Sequence, residues 1–326
     1  MADLMVMYDK HPLIPMPLTQ EHIESMRRCI SGRLFWCGDE SACIKRGYDA
    51  EILFLWGGSG PLPETYLSQS RRLKWVHTFS AGIDSLAASP TLRARPDILI
   101  TNAKGIHGPV MALTALGYII SFLRRFPQLS HAQKAHVWTK AFSEEPSVAK
   151  GKVVCVVGAG SIGTEVAKLC RLLDMYTIGV KRAVCGIPAF DEVLPSTRMN
   201  EALERADFVV VATPHTPETH HLIDGERLAH MKTSAVLINI GRGPVVDTAA
   251  LITALRQGAI GGAALDALEE EPLPDDSPLW DMPNVIITPH CSAVSSQYMD
   301  SAVAQFCQLL SLYEAGRPLF NLTRLS

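Results

Sequence analysis

Apolar residues run along this chain in short bursts. Over the first hundred residues LMVMY at 4–8, ILFLW at 52–56, LKWVHTF at 73–79 and ILIT at 98–101 alternate with polar turn-like or helical segments. Bursts of this length bounded by polar residues predict buried strands, and hence a small α/β unit. From Gly105 the spacing becomes helical (VMALTALGYIISFLRR), and a Gly-Lys start at 151 opens a second series. Its members are VVCVV (153–157), YTIGV (176–180), FVVVA (208–212), AVLINI (235–240), GAALDA (262–267) and NVIITP (284–289). Helical patterns separate the early members, and such alternation predicts a doubly wound parallel sheet. The stretch SSQYMDSAVAQFCQLLSLYEAG reads as one amphipathic helix.

The first strand of the second series leads into Gly158, Gly160 and Gly163, with Ser161 and Ile162 between them, and TEVAKLCRLL continues as a helix. A lone GxGxxG means little. Between a strand and a helix, its glycines let the backbone approach a pyrophosphate that the free amides of the helix N-terminus then bind. Where the next strand ends, NAD-binding chains carry an acid for the ribose hydroxyls; this chain has Lys181 and Arg182. Cations there attract a 2′-phosphate, so NADP(H) is the preferred cofactor and NAD(H) a possible one. His215, His220 and His221 cluster in VVVATPHTPETHHLI. They lack the helical spacing and the convergent third ligand of a metal site, and hydride chemistry requires no metal.

Three polar residues stand at or shortly after later strand ends: Arg242 in INIGRG, Glu271 in LDALEEEP and His290 in ITPHCSA. A guanidinium can clamp a substrate carboxylate and stabilise charge developing on a carbonyl oxygen. An imidazole can deliver a proton, and a carboxylate beside it favours its charged form. Together these side chains suit reduction of a 2-oxo acid. At these motifs the chain resembles the D-isomer-specific 2-hydroxyacid dehydrogenase family, most strongly from about Gly105 to Ala293 and upstream through LKWVHTFSAGID at 73–84.

The resemblance implies an α/β fold with a Rossmann-type doubly wound parallel sheet plus a smaller, discontinuous, flavodoxin-like domain. The substrate domain would comprise residues 1–104 and 292–326, and the dinucleotide-binding domain, with a dimerisation helix, residues 105–291. It selects Glu271 as the partner of His290, leaving Glu269 and Glu270 as a solvated acidic face. It adds Thr213 and Pro214 beside the adenosine half of the cofactor, Asp266 at the nicotinamide amide, and the backbone of Ala81 and Gly82, with Arg242 and His290, around the substrate. Glyoxylate or hydroxypyruvate is the implied substrate class, with a D-2-hydroxy acid as product. The chain departs from the family at Leu113, where an acid is frequent, and at Cys291 and Ser292, where an apolar residue and Ala are usual.

With 326 residues the chain is long enough for two domains. Its 30 basic and 33 acidic residues, a net charge of −3, count against general nucleic-acid binding or polybasic membrane attachment. Eight cysteines without a CxxC pair, an N-terminus MADLMVMYDKHP without a long apolar segment, and no apolar run able to span a bilayer predict a cytoplasmic protein. Trp56, Phe79, Trp138 and Trp280 are aromatic residues that could shape a pocket. A dinucleotide-sensing, corepressor-like interaction module is the alternative reading, weakened by the intact trio. A formate dehydrogenase is a third, opposed by Glu271, where that branch has an amide.

Overall fold

Two parallel sheets organise the chain, each within its own unit: Met1–His107 with Val294–Ser326, and Gly108–Ala293. The computed structural model describes residues 1–8, 17–58, 60–140, 145–184 and 186–325.

The first unit holds β1 (Leu4–Met7), β2 (Leu34–Cys37), β3 (Ile52–Leu55), β4 (Trp75–Thr78) and β5 (Leu99–Asn102) in the order β2-β1-β3-β4-β5. All neighbours are parallel, and this is the flavodoxin-like order. β2 is not among the strands the apolar pattern predicts; it lies at the sheet edge and three of its four residues are only half-buried. The helix Tyr298–Glu314 belongs to this unit, and its Phe306 packs on Phe54, Trp75 and His77. Burial pushes the His77 pKa down to about 3, so this histidine is a neutral core residue, with Nδ1 2.8 Å from Thr101 Oγ1.

The second unit holds β6 (Val153–Val157), β7 (Tyr176–Lys181), β8 (Glu192–Pro195), β9 (Phe208–Val211), β10 (Val236–Asn239), β11 (Gly262–Leu265) and β12 (Val285–Ile287). Their order is β12-β11-β10-β9-β6-β7-β8, again all parallel. The chain winds outward from β6 through β7 and β8, then crosses to β9 and winds the other way. The strand order therefore reverses between β6 and β9, and in such sheets the crevice at the carboxyl ends of those two strands receives the ligand. β8 also escapes the sequence pattern: it is an edge strand ending in a proline, where no ladder donor is needed.

The helical region after Gly105 is two helices, Gly108–Leu123 and Phe126–Lys134, bent by 69°. Arg125 between them has φ +57°, and Pro127 in the first turn of the second helix has no N–H to bond back across the break. The first helix buries Met111, Ala115, Ile119 and Phe122 in the same core as Val154, Val156, Val210 and Ile238 of the sheet. Its opposite face leaves Leu113 and Ile120 exposed. Among the described residues no single helix is long and apolar enough to cross a membrane.

Candidate functional site

The glycine turn sits where the strand order reverses. Gly158 has φ +106°, and a Cβ there would lie 2.8 Å from the Ala212 carbonyl at the end of β9; one on Gly163 would overlap the Gly158 carbonyl. Gly160 differs, because a Cβ there would meet nothing within 4 Å. It faces open space as the N-cap of the helix Ser161–Arg171 and provides no side-chain cap. The first amides of that helix, on Ser161, Ile162 and Gly163, are the donors an anion would take.

The neighbouring strand ends converge on the same turn. Thr213 Oγ1 donates to Val157 O at 3.2 Å, and the Pro214 carbonyl accepts from Thr219 Oγ1 at 2.8 Å. The Val180 carbonyl accepts the amides of Gly158 and Ala159 at 3.0 and 3.1 Å, which sets Lys181 and Arg182 just beyond. The Glu218 carboxyl is held below its ordinary value, mainly by the Thr216 hydroxyl with a smaller contribution from Arg182, so Arg182 lies within reach of the 214–221 loop. In that loop His215 Nε2 is 3.3 Å from His220 Nδ1, and His220 stacks on His221 at 4.1 Å. Glu269 is exposed, in keeping with the expected acidic face, and is bonded to His221 Nε2 at 2.5 Å and accepts the Thr248 amide at 2.9 Å.

Arg242, Glu271 and His290 are brought together by the ends of β10, β11 and β12. Asn239, buried at the end of β10, donates to Ala267 O (3.0 Å) and Arg242 O (3.2 Å) and accepts the Gly241 amide (3.1 Å). A side chain on Gly241 would press on Thr213, and one on Gly243 would overlap the Leu268 carbonyl. The INIGRG turn is thus clasped to the segment that leads to Glu271. The Glu271 carboxylate accepts the Leu268 amide at 3.0 Å, and its two oxygens lie 3.1 and 2.8 Å from His290 Nδ1.

This pairing shifts both groups. Hydrogen bonding to Glu271, aided by its charge, raises the His290 pKa above the ordinary imidazole value against the opposing effect of burial and of Arg242. Burial works to raise Glu271, but His290, the Leu268 amide and the Arg242 charge outweigh it and hold the carboxyl below its usual range. All three charges therefore share one field. Since Glu271 engages Nδ1, His290 Nε2 is the nitrogen left to serve a ligand. The Arg242 guanidinium donates to Gly241 O at 3.0 Å among its contacts.

His290 adopts φ +49°, a left-handed conformation uncommon outside glycine. Asp266 holds it there. The Asp266 carbonyl accepts the His290 amide (2.9 Å), and its carboxylate accepts the amides of Cys291 (2.9 Å) and Ser292 (3.0 Å) and the Thr288 hydroxyl (2.6 Å). Because the Thr288 proton goes to Asp266, the Tyr118 hydroxyl, 2.5 Å away, donates to Thr288. Asp266 is 1 % exposed and accepts from a set of donors wrapped around the His290 turn. Neither Asn239 nor Thr288 is singled out by sequence; the signal available was a polar residue closing an otherwise apolar strand.

Ala81 and Gly82 lie in the other unit, after β4. Their carbonyls accept from Asn102 Nδ2 (2.8 Å) and Ser80 Oγ (2.7 Å), which fixes the loop, and their amides have no partner among the described residues. Of the aromatic residues, Phe79 is core, Trp56 packs on it at 5.3 Å, Trp280 donates to Pro274 O at 2.9 Å, and Trp138 is 99 % exposed.

Residues 116–292 match the D-isomer specific 2-hydroxyacid dehydrogenase, NAD binding domain. The chain belongs to this family of dehydrogenases and carries its nicotinamide-dinucleotide-binding domain. It is 35 % identical over 247 residues, 74 % of the chain and 75 % of the relative, to a glyoxylate/hydroxypyruvate reductase B of Escherichia fergusonii. A family member from Aeromonas salmonicida superposes with a TM-score of 0.84 at 32 % identity, covering 100 % of this chain and 99 % of that one. The NADPH-dependent glyoxylate/hydroxypyruvate reductase of Sinorhizobium meliloti, solved with NADP and sulfate, superposes with a TM-score of 0.82 at 25 % identity over 100 % and 99 % of the two chains.

Proposed function

We propose that this protein is an NADP(H)-dependent reductase of a small 2-oxo acid, in the glyoxylate/hydroxypyruvate class, yielding the D-2-hydroxy acid. The carrying observation is the Glu271 carboxylate against His290 Nδ1, which keeps a proton on the imidazole and turns Nε2 into the donor. Arg242, in the same field, is the clamp for the substrate carboxylate and the stabiliser of negative charge on the carbonyl oxygen. Ala81 and Gly82 offer backbone amides of the kind a carboxylate accepts.

The residues fit a dinucleotide. Gly160 leaves the helix N-terminus open, Ser161, Ile162 and Gly163 supply amides, and Lys181 and Arg182 supply charge suited to a 2′-phosphate. Thr213 and Pro214 would flank the adenosine half, and Asp266 would meet the nicotinamide amide only at a surface its turn leaves open. When bound, NADPH supplies the hydride. The unit Gly108–Ala293 is then the cofactor domain and the other unit the substrate domain. The 2-oxo acid reading draws on the names of the relatives from Escherichia fergusonii and Sinorhizobium meliloti. The free thiols among the described cysteines suit the reducing cytoplasm. The test is NADPH oxidation at 340 nm across a panel of 2-oxo acids: turnover of glyoxylate or hydroxypyruvate above larger 2-oxo acids is expected, and no turnover of any of them would overturn the reading.

A further inference from the structure

Within the first unit, the helices Gln20–Arg28 and Tyr298–Glu314 run parallel, side by side. Near their N-terminal ends His22 Nε2 lies 2.7 Å from Asp300 Oδ1; past the C-terminal end of the shorter helix, the Ser31 hydroxyl donates to Glu314 Oε2 at 2.6 Å, near the end of the longer one. The two cross-links fix direction, and the His22–Asp300 contact sets the local register. Cys29 follows His22 by seven residues, and Cys307 follows Asp300 by seven. Seven helical residues advance about 10.5 Å and turn to within roughly 20° of two full turns. Each cysteine therefore stands two turns above a residue of the contacting pair, on the same stripe of its helix. Cys29 closes its helix with φ −97° and ψ −4°, so the helical path extends to it.

From this juxtaposition we propose that Cys29 and Cys307 form an oxidative modification site, at which a peroxide links the two helices through a disulfide. Both thiols are half-buried, which leaves the small oxidant a way in. Cys37, Cys43, Cys155 and Cys170 are buried, and the Cys43 thiol rests on the Met5 sulfur at 3.3 Å. The Cys307 thiol is pushed up to about 12, first by burial and then by the Cys29 thiol beside it, so Cys307 is the thiol that resolves the link rather than the one that opens it. The Cys29 thiolate attacks one peroxide oxygen, forming an S–O bond and breaking O–O; hydroxide leaves and is protonated to water. Cys307 sulfur then attacks Cys29 Sγ, the S–S bond forms, S–O breaks, and the second hydroxide leaves as water with the Cys307 proton. Two thiols lose two electrons and two hydrogens while one peroxide becomes two waters.

The link would close a loop containing most of the chain, which restricts the unfolded ensemble and raises thermal stability. The experiment treats the folded full-length protein with stoichiometric hydrogen peroxide, alkylates remaining thiols and maps peptides without reductant. The expected product joins the peptides of Cys29 and Cys307, lacks two hydrogen masses, disappears on reduction, and accompanies a rise of several degrees in Tm. Cys29→Ser and Cys307→Ser should each abolish both signals with unchanged basal activity. Recovery of both residues as alkylated thiols, or of Cys29 as a sulfinic acid without the link, would overturn the proposal, and the wild-type map decides it even if a variant folds poorly.

Discussion

At the scale of single residues, the His290–Glu271 pair sets a sign for the pH dependence. If His290 is the proton donor of the proposed reduction, the rate should be full below the raised His290 pKa and fall as pH climbs through it; the reverse oxidation would need the neutral ring and should gain over the same interval. Glu271→Gln removes the largest cause of that raised value, so the decline should begin at lower pH. A profile of kcat/KM against pH that stays in place would refute the pairing. Arg242→Ala should lose on the order of a hundredfold or more in kcat/KM while retaining NADPH binding by fluorescence titration, since the proposed clamp would act on charge that grows in the transition state. Near-normal turnover would remove Arg242 from the mechanism. The residues Arg242, Glu271 and His290 were legible because each stands in a distinctive local motif. Asn239, Thr288 and Tyr118 were not, because their roles come from contacts across 28, 22 and 170 positions of the chain respectively.

At the scale of elements, the candidate site collects at strand ends. β6 supplies the glycine turn, β7 the basic pair, β9 Thr213, β10 Arg242, and the segments after β11 and β12 supply Glu271 and His290. The basic pair carries the prediction most particular to this chain. If Lys181 and Arg182 grip a 2′-phosphate, the wild type should prefer NADPH to NADH by tenfold or more, since charge-assisted contacts contribute about 1.5–3 kcal/mol each before solvent screening. Lys181→Asp with Arg182→Ala should reverse the order, mainly in the KM for the cofactor, because the phosphate is remote from the reacting carbon. Equal use of both cofactors by the wild type would show that the pair faces solvent. The buried central strands were readable as continuous apolar runs. The edge strands Leu34–Cys37 and Glu192–Pro195 were not, since half-exposed residues weaken the apolar signal. The break at Arg125 also hid inside an otherwise helical composition.

At the scale of the whole molecule, the exposed apolar residues Leu113, Ile120, Phe126, Val137 and Trp138 gather in the 113–138 segment. Such a set seldom remains wet on a soluble protein, and we expect it to form the two-fold interface of a homodimer. Light scattering at micromolar concentration should give twice the 35.6 kDa chain mass; a monomeric mass would sink the idea, and Trp138→Glu with Phe126→Glu should weaken the dimer. By itself the sequence determined the α/β class and the position of the glycine turn and marked Arg242, Glu271 and His290 as candidates, because these depend on local periodicity and on residue types at short spacing. Only the tertiary structure decided strand order, the left-handed turn at His290 and the Asp266–Thr288–Tyr118 chain that supports it. It also decided that Glu269 serves His221. These depend on which strand ends become neighbours, and the free energy that selects neighbours comes from burying whole strands and helices against one another, which no short stretch of sequence encodes.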